Sequence, residues 1–394
     1  MNTAVIVDAV RSPMGKGKPG GQLSGLHAVE LLAQTLRGIV ERTGIDPGAV
    51  EDVIIGCVSQ GGEQAATPGR QAWLAAGYPE HVPATTIDRR CGSSQQALHF
   101  AAQAVLAGVH DVVLAGGVES MSRVPMGSAR MGADVYGPSV TDRYAPGMVS
   151  QGIAAELVAA RWKIDREAMD AYSARSHARA AAVAEAGGFG GEIVPIRVAD
   201  RDELVTADET IRAGTTPEKL AGLKRAFTDE AMEERFPEIS WSVTAGNSSQ
   251  ITDGASAALV MSEKRANALG LRPRARIVAM SVVGDDPIAM LTAPIPATRK
   301  VLAKAGLGLD RMDAVEVNEA FASVPLAWQA EFGIDEEHLN PAGGAIALGH
   351  PLGASGIRLF ATLLNHLERT GGRYGLQTMC EAGGMANATV MERL

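Results

Sequence analysis

The sequence predicts a duplicated α/β fold whose halves are separated by a long insertion. Three observations carry this. Residues 1–119 alternate short β-branched runs with helix-like stretches, as a sheet covered by helices requires. A similar order of elements returns near the end of the chain. Between them, the texture changes to segments rich in Met, Gly, Ser, Pro and charge. The division expected is residues 1–119 plus 250–272 for the first half, 120–249 for the insertion, and 273–394 for the second half.

Taken in order, Val5 to Val10, Asp52 to Val58 and Asp111 to Gly117 read as strands, and Leu31 to Arg42 as a helix between the first two. Ser93 to Gly108 is helix-like and apolar almost all round, the pattern of a helix buried on every side. Ser120 to Gly152 shows no clear period, and loops of that length are usually functional or disordered. Ile164 to Ala186 reads as a helix, with Asp165 as N-cap and Glu167 in its first turn. Asp200 to Phe236 is mostly charged and is expected as an excursion lying over one half. Helical Ala297 to Ala305 then leads into Met312 to Asn318, echoing Leu31 to Arg42 leading into Glu51 to Cys57. A Gly-rich turn, a helix from Ala354 to Leu367, and strands Leu376 to Cys380 and Ala388 to Glu392 complete the second half.

Composition excludes several classes. A chain of 394 residues exceeds one ordinary core, and 46% hydrophobic with 21% charged residues is the balance of a soluble globular protein. A net charge of −9 without any Lys/Arg run argues against nucleic-acid binding. Cys57, Cys91 and Cys380 cannot build a disulfide framework, so a reducing compartment is expected. The N-terminus reads as a strand and lacks a signal peptide's basic start, and no segment is apolar enough to span a bilayer. A cytoplasmic protein without a membrane partner is expected.

The reactive side chains fall in three Gly/Ser-rich stretches: Asp88 to Ser94, Gly343 to Gly356, and Cys380 to Gly384. Each sets one Cys or His at a turn where small residues permit close backbone approach. Cys91 stands where strand-like Thr85 to Ile87 meets the buried helix, so the helix dipole is expected to lower its pKa and the free N–H groups to hold an oxyanion. Cys57 reads as a small buried hydrophobe. His350, framed by Gly349 and Pro351, is expected to be accessible, with Ser355 a candidate cap for the next helix. Two thiols and an imidazole suit acyl transfer with a separate proton transfer at carbon. The cysteines and the eight histidines show no metal-ligand spacing, and Walker and dinucleotide fingerprints are absent, so neither a metal nor a bound cofactor is expected. Arg123, Arg130, Arg143, Arg212, Lys219, Lys224 and Arg225 are most simply a solvated face.

On these motifs the chain resembles the thiolases, the acetyl-CoA acetyltransferases and 3-ketoacyl-CoA thiolases. The resemblance covers nearly the whole length. It rests on Cys91-Gly92-Ser93-Ser94, Asn318-Glu319-Ala320-Phe321, Gly349-His350-Pro351, the segment at Cys380, and Thr244 to Ser249. It implies two similar halves in a five-layer αβαβα sandwich, a loop domain covering CoA, and a homodimer or homotetramer. It further implies that Cys91 carries the acyl group, His350 activates it, and Cys380 exchanges the α-carbon proton. Asn318 would hold a water that forms one oxyanion site with His350, and the N–H groups of Cys91 and Ala382 would form the other. Arg212, Ser249 and Phe321 match positions lining the CoA channel.

Two departures from the family pattern bear on substrate. Ser150-Gln151 stands where many thiolases have His-Met beside a short acyl group, and Ala382 stands where Gly is usual; that backbone donor survives only with a negative φ. Gly117 to Met126 and the surroundings of Gln250 resemble the degradative lipid and steroid branch. The expected activity is reversible cleavage of 3-ketoacyl-CoA by CoA. The alternatives are a short-chain acetoacetyl-CoA-forming acetyltransferase, a decarboxylating ketoacyl synthase, a Cys–His thioester hydrolase and a non-catalytic CoA-ester-binding protein.

Overall fold

Ten strands order the chain in a computed structural model that describes residues 3–199 and 204–394. They are β1 (Ala4–Arg11), β2 (Gly15–Lys16), β3 (Asp52–Gly56), β4 (Ala84–Ile87), β5 (Val112–Ser120), β6 (Thr252–Ser262), β7 (Ala275–Gly284), β8 (Ala314–Val317), β9 (Tyr374–Glu381) and β10 (Met385–Arg393). The main path runs β4-β3-β5-β6-β1-β7-β10-β9-β8. β3 pairs in parallel with β4 and β5, and β6 is antiparallel to both β5 and β1.

The duplication is visible in this order. Within the first half the neighbours are its third, second, fourth, fifth and first long strands. From β8 back to β7, the second half repeats second, fourth, fifth, first. A parallel bridge between Val315 and Leu339 stands where the second half's third strand would pair. The halves meet at their first strands, where Val5 faces Arg276 and Ile6 faces Ala275, so one hydrogen-bonded path crosses both.

Helices separate into three layers around these half-sheets. The Ser93–Ala107 and Ser355–Thr370 helices touch each other in the centre, and Leu98, Ala101, Ile357, Phe360 and Leu364 share one core with strand residues of both halves. The Ala28–Thr43 helix covers the outside of the first half, and the Pro294–Ala305 helix the outside of the second. This is the five-layer arrangement. The central helix at Ser93 is buried through its first two turns, but Phe100 and Leu106 are exposed, so it is not covered on every side as its composition suggested.

The insertion is more ordered than its sequence texture suggested. The Gln151–Trp162 helix begins inside it, capped by Ser150 Oγ, which accepts from Ile153 N. The Arg166–Glu185 helix follows, capped by Asp165 Oδ1 on Ala168 N at 2.8 Å, as expected. Of the charged excursion, residues 200–203 lie outside the described residues. Its remainder includes two short helices, Pro217–Ala221 and Glu230–Arg235. Fully buried Arg11 on β1 holds residues of this region by ion pairs of 2.6 Å to both Glu192 and Asp208. Among the described residues, no helix is long and apolar enough to cross a membrane.

Candidate active site

Cys91 sits one residue before the N-cap of the Ser93–Ala107 helix, after Arg90, whose φ of +50° turns the chain sharply from β4. The thiol is buried. With Met121, Leu352, Leu359 and Met379 it forms one apolar cluster, so the flanks of His350 and Cys380 pack around it. Burial, with the Glu381 charge next, pushes Cys91 up to about 12. This reverses the expected lowering by the helix dipole: loss of water around a thiolate outweighs a partial charge at the helix end. Cys380, at the end of β9, is pushed well above the ordinary range by burial and then by the charge of Cys91.

His350 is also buried, contrary to the accessibility expected of it. The surrounding glycines serve contacts within the chain. A Cβ on Gly353 would stand 2.5 Å from Val118 O and 2.8 Å from the Cys57 Cα, so the second half docks its backbone directly on the strand ends of the first. Gly349 has a φ of +88° and lies against Thr252, leaving no room for a side chain.

His350 is held by three groups. Its backbone N–H donates to Gln250 O and Thr252 Oγ1. Ser355 Oγ lies 2.6 Å from Nδ1 and donates its own proton to Pro351 O at 2.8 Å. Because that hydroxyl proton is committed, Ser355 accepts from Nδ1–H, and Nε2 is left as the acceptor. Asn318 Nδ2 faces Nε2 at a long 3.4 Å, while Asn318 Oδ1 has no protein partner among the described residues. Burial, then the positive Arg358, lowers His350 to about 3. A neutral imidazole with its lone pair on Nε2 can take a proton from a thiol. Ser355, expected to cap a helix, instead fixes this tautomer; the Ser355–Thr370 helix has no side-chain cap.

The remaining expected residues fall around this centre. Ala382 is not among the residues with positive φ, which fall on Gly383 (+93°) and Gly384 (+76°), so its methyl is accommodated. Ser249 N donates to Ala320 O, Ser248 bridges Phe321, and Phe321 meets Phe227 edge-on at 5.9 Å. Arg212 Nη2 donates to Gln250 Oε1 at 3.1 Å, and Gln250 also accepts from His350 N. Arg212 is therefore tied to the His350 backbone through Gln250, while Ser249 and Phe321 join the segment before Gln250 to the one after Asn318. Among the basic residues expected as a solvated face, Arg123 pairs with Glu63 at 2.5 Å.

Two carboxylates escaped the sequence reading. Glu119 accepts from Val58 N, Ser59 N, Gln64 Nε2 and Gly353 N, joining the halves beside Cys91. Glu319 accepts from Tyr172 Oη, Ser176 Oγ and Ile346 N, anchoring an insertion helix behind Asn318. A signal for Glu319 was its place in the Asn318 motif; Glu119 gave none. Among the described residues, no group of three or more His, Cys, Asp or Glu could hold a metal ion.

Comparison with known proteins agrees with this architecture. The model of the thiolase N-terminal domain matches residues 4–264, and that of the thiolase C-terminal domain residues 271–393. A steroid 3-ketoacyl-CoA thiolase of Mycobacterium tuberculosis is 49% identical over 100% of this chain and 95% of its own length. A 3-ketoacyl-CoA thiolase of Klebsiella pneumoniae is 44% identical over 100% of both chains. The crystal structure of the Bacillus anthracis acetyl-CoA acetyltransferase superposes with a TM-score of 0.88 at 39% identity, covering 100% of this chain and 99% of that one. The chain belongs to the thiolase family.

Proposed function

We propose that this chain cleaves 3-ketoacyl-CoA with CoA through an acyl group carried on Cys91. It is an acyltransferase of the degradative kind, in keeping with relatives named 3-ketoacyl-CoA thiolases. The single observation that carries the assignment of roles is the Ser355–His350–Asn318 arrangement, which leaves Nε2 a proton acceptor in a site with two buried thiols.

Both thiols and the imidazole are neutral at rest, so proton transfer accompanies attack. The proton of Cys91 passes to His350 Nε2 as Sγ bonds to the 3-keto carbon. The C2–C3 bond then breaks, its electron pair leaves with acetyl-CoA as the enolate, and Cys380 gives that carbon its proton. The proton held by His350 then returns to the Cys380 thiolate, restoring both groups. CoA takes the acyl group from Cys91, with His350 receiving the incoming thiol's proton and passing it to Cys91 Sγ as the carbon–sulfur bond breaks. A water on Asn318 Oδ1, together with His350 Nε2, would stabilise one oxyanion, and the N–H groups of Cys91 and Ala382 the other. CoA is a substrate here, and the chemistry calls on no bound cofactor or metal. Arg212, Ser249 and Phe321 would line its channel, under a covering segment formed by residues 120–249 between halves at 1–119 plus 250–272 and 273–394. A cytoplasmic homodimer or homotetramer belongs to the same proposal.

Substrate bulk is the finer part of the reading. Ser150 is spent on capping a helix, leaving no His-Met pair beside the acyl group. A cleft of about 560 Å³ opens between Tyr136, Val140, Tyr144 and Met148 of the insertion and Gly383 and Gly384 after Cys380. These observations support 3-ketoacyl groups longer or bulkier than acetoacetyl, ring-bearing ones included. Each buried methylene contributes about 0.8 kcal/mol, so four lower the barrier by about 3 kcal/mol when the binding is fully expressed in the transition state. CoA-dependent cleavage measured as kcat/KM across a chain-length series should rise past acetoacetyl-CoA. A maximum at acetoacetyl-CoA would favour the short-chain acetyltransferase, and no CoA-dependent cleavage of any member would overturn the thiolase reading itself.

A further inference from the structure

Glu381 takes no part in the steps above, yet it touches both thiol segments. It directly follows Cys380 on β9, and its carboxyl lies so close to Gly92, the neighbour of Cys91, that a Cβ there would overlap it. The residue is fully buried, and neither carboxyl oxygen has a hydrogen-bond partner of good geometry among the described residues; the Asn387 N–H is the one backbone donor that acts on it. Glu119 makes the contrast, accepting from three backbone N–H groups and one side-chain amide. Burial raises Glu119 as well, but those four donors oppose it; a carboxyl without them gives up its charge more readily.

The surroundings agree. Burial pushes Glu381 well above the usual carboxyl range; Asp88 adds to this, while Arg89 and the Asn387 N–H of β10 oppose it. When charged, Glu381 raises both Cys91 and Cys380; Glu119 adds to its effect on Cys91, and Arg90 opposes it there.

We propose that Glu381 is a positioning residue for the thiol chemistry: its carboxyl is neutral while Cys91 takes up acyl groups, and its ionisation withholds thiolate from Cys91 and Cys380 together. One proton moves, from the Glu381 carboxyl to solvent, and the charge left behind opposes loss of a second proton from either Sγ. The inference rests on the two-thiol reading above, but its test needs no turnover.

The rate of Cys91 alkylation by iodoacetamide, located by peptide mass mapping, is followed from about pH 6 to about pH 10 in the wild type and in Glu381→Gln. The two curves should coincide near pH 6, with the variant about tenfold faster at the alkaline end, equivalent to one pKa unit. Coincident curves at every pH would overturn the proposal, as would a variant faster by one constant factor throughout, which means a carboxylate charged at rest. Cys57, fully buried, becomes labelled only where a variant has loosened. Should the glutamine variant loosen, Glu381→Ala removes the carboxyl without burying an unpaired amide and must give the same divergence. Failure here leaves thiolysis intact, whereas failure of the thiolase reading shows as absent CoA-dependent cleavage with the alkylation curves unaffected.

Discussion

Cys91→Ala is expected to lower turnover of 3-ketoacyl-CoA by at least ~10³-fold. Without Sγ no acyl-enzyme forms: Cys57 lies in the core of the first half, and Cys380 is assigned the α-carbon proton and not the acyl group. Losing one buried sulfur costs about 1 kcal/mol of stability, so the variant should stay folded. Steady-state thiolysis beside a thermal melt separates the two effects. A variant that melts like the wild type and keeps a tenth or more of its rate would remove Cys91 from the acyl-carrying role.

Cys380→Ser is expected to separate the two halves of the chemistry. The hydroxyl fits the space of the thiol but gives up its proton far less readily. Acetyl transfer from acetyl-CoA to Cys91 should therefore persist. Deuterium exchange into the acetyl methyl should fall by ~10²–10⁴-fold, the usual contribution of a general acid–base group. Both are read on one enzyme sample, by mass spectrometry of the protein and proton NMR of the acetyl-CoA. Exchange at the wild-type rate would assign that proton to another base.

Much of this was legible in the sequence wherever a local pattern corresponds to a physical role. β1, β3 and β5 carry β-branched runs between turn residues, and Asp165 stands at a helix start with Glu167 behind it. β6 was not foreseen as a strand because it is buried along its whole length, so no alternation marks it, and Ala, Ser and Gly fill more than half of it. The Gln151–Trp162 helix hides behind Gly152, which is needed because Phe227 packs where its side chain would be. Cys91, His350, Asn318 and Cys380 stood out by type and by their small neighbours. Their electrostatics did not, because burial of a thiol depends on Leu352, Leu359 and Met379, which arrive from the second half of the chain. Ser355 holds His350 from five positions further along the chain, a spacing with no helical or strand period to announce it. Glu381 is legible only in three dimensions, since its contact with Gly92 joins segments nearly three hundred residues apart.

Peptide mass mapping after brief incubation with a 3-ketoacyl-CoA, in the absence of CoA and quenched in acid, reads the acyl carrier directly. The acyl mass should appear on the peptide containing Cys91 and disappear when CoA is added. An acyl mass on Cys380 or Cys57 alone, or turnover with none of the three ever modified, would contradict the assignment of Cys91.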